Sequence, residues 1–217
     1  PRGGASVTPD RHPPRTDGGD ERRPQLADHR DVPSVYQAAE DSDLLAETAV
    51  GFLEGDERVL DVGTGSGYVG QTIAEATGAS VLGTDLSPVA CRQAADGGLP
   101  VVRANLLDPF REGAFDVVVF NPPYLPTDPG REWNDWMELA LSGGLTGREV
   151  IEPFLEDLRR VLTVDGDAFM LLSSVTGIEA VRDYARSHGL TTMEAADEAH
   201  PYERLVVLHF RPSRGGE

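Results

Sequence analysis

Four consecutive residues, Asn121-Pro122-Pro123-Tyr124, bring together groups suited to holding a flat nitrogen. A planar NH2 group is a poor nucleophile because its lone pair is delocalised. Chemistry on it needs a site that fixes the nitrogen in line with its electrophile and favours the positive charge that develops there. The Asn121 side-chain carbonyl and the Pro122 backbone carbonyl can accept its two N–H bonds. The prolines fix φ, so little backbone ordering is left for binding. Tyr124 adds a flat face. Neither a metal nor a strong base is required, since bond formation itself acidifies the nitrogen. The plainer alternative for this tetrapeptide is a proline-stiffened turn leaving a strand.

A second constellation runs Asp61-Val62-Gly63-Thr64-Gly65-Ser66-Gly67, with another acid, Asp85, further on. Glycines permit a tight turn and let a ligand approach the backbone. By itself such a loop is a dinucleotide site or merely a strand–helix joint. Asp61 separates it from a dinucleotide fingerprint, because an acid ahead of the glycines suits a cationic amino group and disfavours a pyrophosphate. Asp85, ending the next strand, can accept hydrogen bonds from two ribose hydroxyls.

Both constellations need rigid elements behind them. The apolar pattern predicts a helix from Asp43, capped by Ser42 and closed by Gly55, with Leu44, Leu45, Thr48, Ala49, Phe52 and Leu53 on one face. Strands are expected at 58–62, 80–85, 100–104, 115–120, 167–172, 191–196 and 204–210. Helices are expected after the glycine loop, from Pro88, over 148–162 and over 177–188. Strand–helix alternation with apolar strands means a parallel sheet covered on both faces, an α/β fold. The last two strands are close enough in sequence to pair antiparallel. Residues 121–147 read as a long irregular stretch, and loops of that length usually carry function. Residues 1–31, with five prolines and no apolar periodicity, read as a flexible arm ahead of a single domain at 32–211, with a tail at 212–217.

Composition limits the function classes. The chain has 217 residues, 39% of them hydrophobic, enough for one ordinary core. No apolar run approaches the ~18–20 residues that cross a bilayer, and the absence of a leader pattern points to the cytoplasm. The single cysteine, Cys91, excludes an intramolecular disulfide and a Cys-based zinc site, and reads as a small packing residue. The five histidines do not cluster, so no metal site is expected. The formal net charge is -18, every base is an arginine, and the arm is neutral, so the acidity belongs to the domain. Such a surface repels nucleic acid and anionic membranes at ordinary salt. It also resembles the proteins of salt-loving archaea, and in molar salt a Debye length of ~3 Å weakens the repulsion.

The glycine loop resembles the S-adenosylmethionine (AdoMet) loop of Rossmann-like methyltransferases. Together with Asn-Pro-Pro-Tyr it resembles enzymes that methylate planar nitrogens: protein glutamine N5, adenine N6 and some guanine N2. Three further stretches resemble the short archaeal and eukaryotic branch of HemK-like protein-glutamine methyltransferases: Val35 to Leu45, Ser142 to Val150 (Ser-Gly-Gly-Leu-Thr-Gly-Arg-Glu-Val) and Glu203 to Leu208. The likeness spans about 35–210. Gln37-Ala38 stands where that branch has Glu-Pro, and Asn105 where it usually has Asp.

The resemblance implies a seven-stranded Rossmann-like sheet, mostly parallel with the last strand antiparallel. It implies methylation of the Gly-Gly-Gln loop of the peptide chain release factor with S-adenosyl-L-methionine as donor. Asn121, Pro122, Pro123 and Tyr124 would clamp the glutamine. Ser42, Asp61, Gly63, Gly65 and Gly67 would contact AdoMet, as would Asp85, Asn105, Leu106 and Asn121. The competing readings are a DNA or RNA amino-methyltransferase using the same clamp, and a silent scaffold that stabilises a partner. Trp133 and Trp136 would wall the pocket or cover the sheet. Arg148 would hold a substrate or cap-region carboxylate, or lie in solvent at the helix start. The same branch works with a small zinc-binding activator protein. With strand 100–104 at a sheet edge, its unpaired backbone offers that activator a docking strand.

Overall fold

A computed structural model describes residues 40–124 and 144–213. The arm expected at 1–31, residues 32–39, Trp133, Trp136 and residues 214–217 lie outside the described residues. The elements run α1 (Glu40–Val50), β1 (Arg58–Val62), α2 (Tyr68–Thr77), β2 (Ser80–Asp85), α3 (Pro88–Asp96), β3 (Val101–Arg103) and β4 (Phe115–Phe120). After the undescribed segment come α4 (Ile151–Val161), β5 (Leu162–Ser173), a 3-10 turn (Ser174–Thr176), α5 (Ile178–Ser187), β6 (Leu190–Ala199) and β7 (Arg204–Pro212).

All seven strands form one sheet in the order β3-β2-β1-β4-β5-β7-β6. The first five are parallel to one another, and β7 lies antiparallel between β5 and β6. This is the expected α/β architecture. Alternate residues of the central strands feed two cores. Leu60, Val62, Val118 and Phe120 pack with Ile151, Phe154, Leu155 and Leu158 of α4. Val59, Val117, Val119, Phe169 and Val207 pack with Leu45 and Ala49 of α1 and Ile73 of α2. A sheet buried on both faces fixes its register, because a one-residue slip would exchange the two cores.

Several boundaries differ from the sequence expectation. The first helix begins at Glu40, not Asp43, so Ser42 lies within its first turn and does not cap it. It ends at Val50. Gly55 belongs to the turn entering β1, where its N–H and that of Glu54 donate to the Glu57 carboxylate at 2.8 and 2.7 Å. Phe52, placed by the pattern on the buried face, is 46% exposed. The helix expected from Arg148 starts at Ile151, after a turn. The strand expected from Asp167 starts directly at Leu162, with its register against β4 shifting between Phe115 and Val117. The strand expected at 100–104 is regular only over Val101–Arg103. Its flanks still bond to β2, Gly83 N–H to Pro100 O at 2.8 Å and Ala104 N–H to Asp85 O at 3.0 Å. β7 runs one residue past the expected domain end, to Pro212. No helix among the described residues is long and apolar enough to cross a membrane.

Candidate active site

In a parallel sheet every strand carries its carboxyl end to the same edge. The registers Val62↔Thr84, Val62↔Phe120 and Phe120↔Met170 place the loops after β1, β2, β4 and β5 side by side there. Open α/β sheets bind ligands at this edge.

The loop after β1 turns on Gly63, Gly65 and Gly67, whose φ values of +61, +55 and +88° are left-handed. Two acids brace it. Asp61, 2% exposed, accepts on Oδ2 from the Thr64 hydroxyl (2.5 Å) and the Gly70 N–H (3.0 Å). Burial pushes its carboxyl up to about 7, against the pull of those two donors; the negative charge of Asp85 adds to the rise. Asp85, partly exposed, accepts from the Gly65 N–H on one oxygen (3.0 Å) and the Ser87 N–H on the other (2.8 Å). The Thr64 N–H closes the joint onto Thr84 O at 2.9 Å. Each carboxylate oxygen of Asp85 keeps a further lone pair for a ligand hydroxyl. Cys91 lies beneath, its thiol directed to Asp85 O at 3.4 Å.

Asn105 and Leu106 follow β3. Asn105 is exposed and its Nδ2 donates to Asp108 Oδ2 at 3.4 Å. Leu106 holds φ +45°, a conformation costing a side-chain-bearing residue about 1–2 kcal/mol and concentrated at functional sites. Arg160 of α4 sustains it: the guanidinium donates to Leu107 O (3.1 Å) and Phe110 O, with Asp157 holding it from below. Sequence reasoning missed Arg160, since a spacing of three from an acid is the signature of an ordinary surface pair.

Asn121 leaves β4 half-buried. Its Nδ2 donates to Asp41 Oδ2 (3.3 Å) and Ser42 Oγ (3.4 Å) at the start of α1. Tyr124 packs against the core shared by α1 and the sheet. Burial, then the charges of Asp41 and Glu203 and a hydrogen bond to Asp41, push its phenol up to about 12, so it stays protonated and is no base. Glu203 in turn accepts from the Ser173 hydroxyl at the end of β5. The structure thus brings Ser42 to Asn121, and Asp61 to the glycine loop beside Asp85. Ser42, 4% exposed, and Asp61 both spend hydrogen bonds on this scaffold. Arg148 holds a carboxylate of the helix start, its Nε 3.5 Å from Glu152 in the first turn of α4, while Nη1 donates to Thr176 O at 2.8 Å and ties the returning loop to the turn after β5.

The donor set fits a nucleoside carrying an amino-acid tail. Acids line the loop, which a pyrophosphate would find repulsive, while their remaining lone pairs suit hydroxyls and an ammonium. A separate groove of about 570 Å³ opens at the amino ends of the parallel strands, between Arg58, Gln71, Gly97 and Pro100.

Residues 59–144 match a methyltransferase domain. The Methanocaldococcus jannaschii protein MJ0928, named provisionally as a protein N5-glutamine methyltransferase, is 31% identical over 183 residues, 82% of this chain and 91% of that one. Methyltransferase HEMK2 of Mus musculus is 32% identical over 197 residues, 82% of this chain and 90% of its own. Among solved structures, the E. cuniculi Mtq2–Trm112 complex, responsible for methylation of the eRF1 translation termination factor, superposes with a TM-score of 0.69. It is 28% identical and covers 83% of this chain and 99% of that one. The methyl donor is accordingly S-adenosylmethionine, and the chain belongs to the HemK-like family of protein N5-glutamine methyltransferases.

Proposed function

We propose that the chain methylates N5 of the glutamine in the Gly-Gly-Gln loop of the peptide chain release factor. The observation that carries this is the clamp. Asn121, Pro122, Pro123 and Tyr124 leave the central strand beside the glycine loop, with the Asn121 amide nitrogen turned inward to Asp41 and Ser42. Its carbonyl and that of Pro122 are the acceptors for the two N–H bonds of a planar amide. AdoMet, when bound, supplies an electrophilic sulfonium methyl. Asp85 and Asp61 with Gly63, Gly65 and Gly67 hold the donor, and Asn105 and Leu106 border its base. Holding the amide in line lowers the barrier through orientation alone, and effective molarities of such arrangements are large.

The reading extends to a partner. β3 is an edge of only three residues, Val102 on it is 38% exposed, and Leu86 beside it is 46% exposed. The opposite edge, β6, is guarded by charge: Glu194 and Asp197 engage Arg182 and Arg204. The outer backbone of β3, beside exposed Val102 and Leu86, can still take an added strand. The docking strand at 100–104 therefore fits a small zinc-binding activator, and the solved Mtq2 relative pairs with Trm112. The lysine-free acidic surface fits a cytoplasmic protein of a halophilic archaeon. Incubation of the chain and the activator with methyl-labelled AdoMet, release factor and duplex DNA is the test. Label in the release factor supports the reading; label in DNA, or in neither, overturns it.

A further inference from the structure

An asparagine amide can offer either end to an acceptor nitrogen, and only its carbonyl end can take an N–H. Two side chains in the first turn of α1 meet Asn121, and of these the Asp41 carboxylate decides which end of the amide faces outward, since the Ser42 hydroxyl can donate as well as accept. Asp41 is 5% exposed and Ser42 4%, both far from Asn121 in sequence, and both receive its Nδ2. An ionised carboxylate has only acceptors, so a flipped Asn121 would set oxygen against oxygen at this point. The Asp41 carboxylate is itself oriented, since its Oδ1 accepts the Ser42 N–H at 2.8 Å. Tyr124, the other end of the clamp, also hydrogen-bonds to Asp41. The same helical turn is anchored to the end of the glycine loop by the bond from the Tyr68 hydroxyl to Asp43.

We propose that Asp41 is the positioning residue of the acceptor site, setting the Asn121 amide and the Tyr124 hydroxyl so that Asn121 Oδ1 is the atom presented to the acceptor nitrogen. This rests on the reading that Asn121 faces that nitrogen. Asp41 acts through Asn121 and Tyr124 and touches no reacting atom.

The test is a double-mutant cycle on the full chain. Asp41→Ala lowers kcat about 100-fold, the scale of a misplacement of about 1 Å, while the KM for release factor and the Kd for AdoMet stay within about threefold. Asp41→Asn loses less, about tenfold, because its carbonyl can still take the Asn121 N–H. Asp41→Ala combined with Asn121→Ala loses clearly less than the product of the two single losses, the remainder being the part that acts through Tyr124. Multiplying losses, an unchanged kcat, or a loss confined to AdoMet affinity would each overturn the proposal. A readout without any acceptor separates this from the substrate assignment. In asparagine-labelled nitrogen-15 spectra the Asn121 side-chain NH2 pair, identified by its disappearance in Asn121→Ala, shifts in Asp41→Asn. An unmoved pair contradicts the positioning role whatever the substrate. Asp41→Asn serves both measurements if Asp41→Ala does not fold.

Discussion

Adding one methyl group at Gly70 should damage both the fold and the cofactor site. Gly70 lies in α2 and its φ is not left-handed, so alanine there gains about 1 kcal/mol of helix propensity. The obstacle is space. A Cβ would stand 3.0 Å from Asp61 Oδ2, 3.0 Å from Leu99 Cδ2 and 3.2 Å from Val81 Cγ1. None of these can withdraw easily. Asp61 is pinned by Thr64 and by the Gly70 N–H itself. The same Leu99 methyl lies 3.0 Å from where a Cβ on Gly83 would sit, so it is wedged between two glycines. Overpacking of this kind costs about 1–3 kcal/mol, leaving a net loss of up to about 2 kcal/mol and a Tm lower by up to about 8 °C. The Asp61 carboxylate must also move, carrying Thr64 with it, and AdoMet binding weakens about tenfold by titration calorimetry. Gly78→Ala is the control: nothing stands within 4 Å of a Cβ there, its φ of +80° alone is unfavourable, and AdoMet affinity should not change. A Gly70→Ala protein with undiminished Tm and affinity would refute the idea that α2 is held at minimum distance to brace the loop.

Thr84→Val should raise stability by about 1 kcal/mol in denaturant unfolding, because the Thr84 hydroxyl is fully buried with no partner among the described residues. Asp61, at about 7 in the folded chain against 3.8 when exposed, holds a proton between these values that the unfolded chain has released. Its contribution is thus complete below about pH 4 and is lost as pH rises through 7. Unfolding free energies at pH 5 and pH 8 should fall by roughly 2–3 kcal/mol more for the parent than for Asp61→Asn. Val102→Asp should abolish capture of the activator in co-expression pull-downs, and undiminished capture by a folded variant would place the interface elsewhere.

The glycine loop, Asp85 and the Asn-Pro-Pro-Tyr clamp were legible because their chemistry is local: residue type and spacing state the turn and the donors. The strand positions were legible for the same reason, as apolar runs of strand length between turn residues. What failed was set by hydrogen-bond partners and packing that the local pattern does not state. Ser42 before Asp43-Leu44-Leu45 has the local pattern of a helix cap, yet Asn121 and the Asp41 carboxylate draw it into the first turn. Gly55 looked like a helix stop, but the Glu57 carboxylate claims its N–H for the next turn. Arg160 acts on backbone carbonyls of Leu107 and Phe110, which no side-chain pattern announces. Asp165-Gly166 carries a turn signature inside β5, where a register shift against β4 absorbs it. Gly70 read as one more helix residue until Asp61 and Leu99 were seen against it.

The most direct test is mass spectrometry of the release factor after incubation with AdoMet, the chain and the proposed activator. The account predicts a single methyl group on the glutamine of the Gly-Gly-Gln loop. With Asn121→Ala the methyl group should be nearly absent, although AdoMet binds within about tenfold of the parent. A methyl group on another residue, or near-normal methylation of the glutamine by Asn121→Ala, would contradict it.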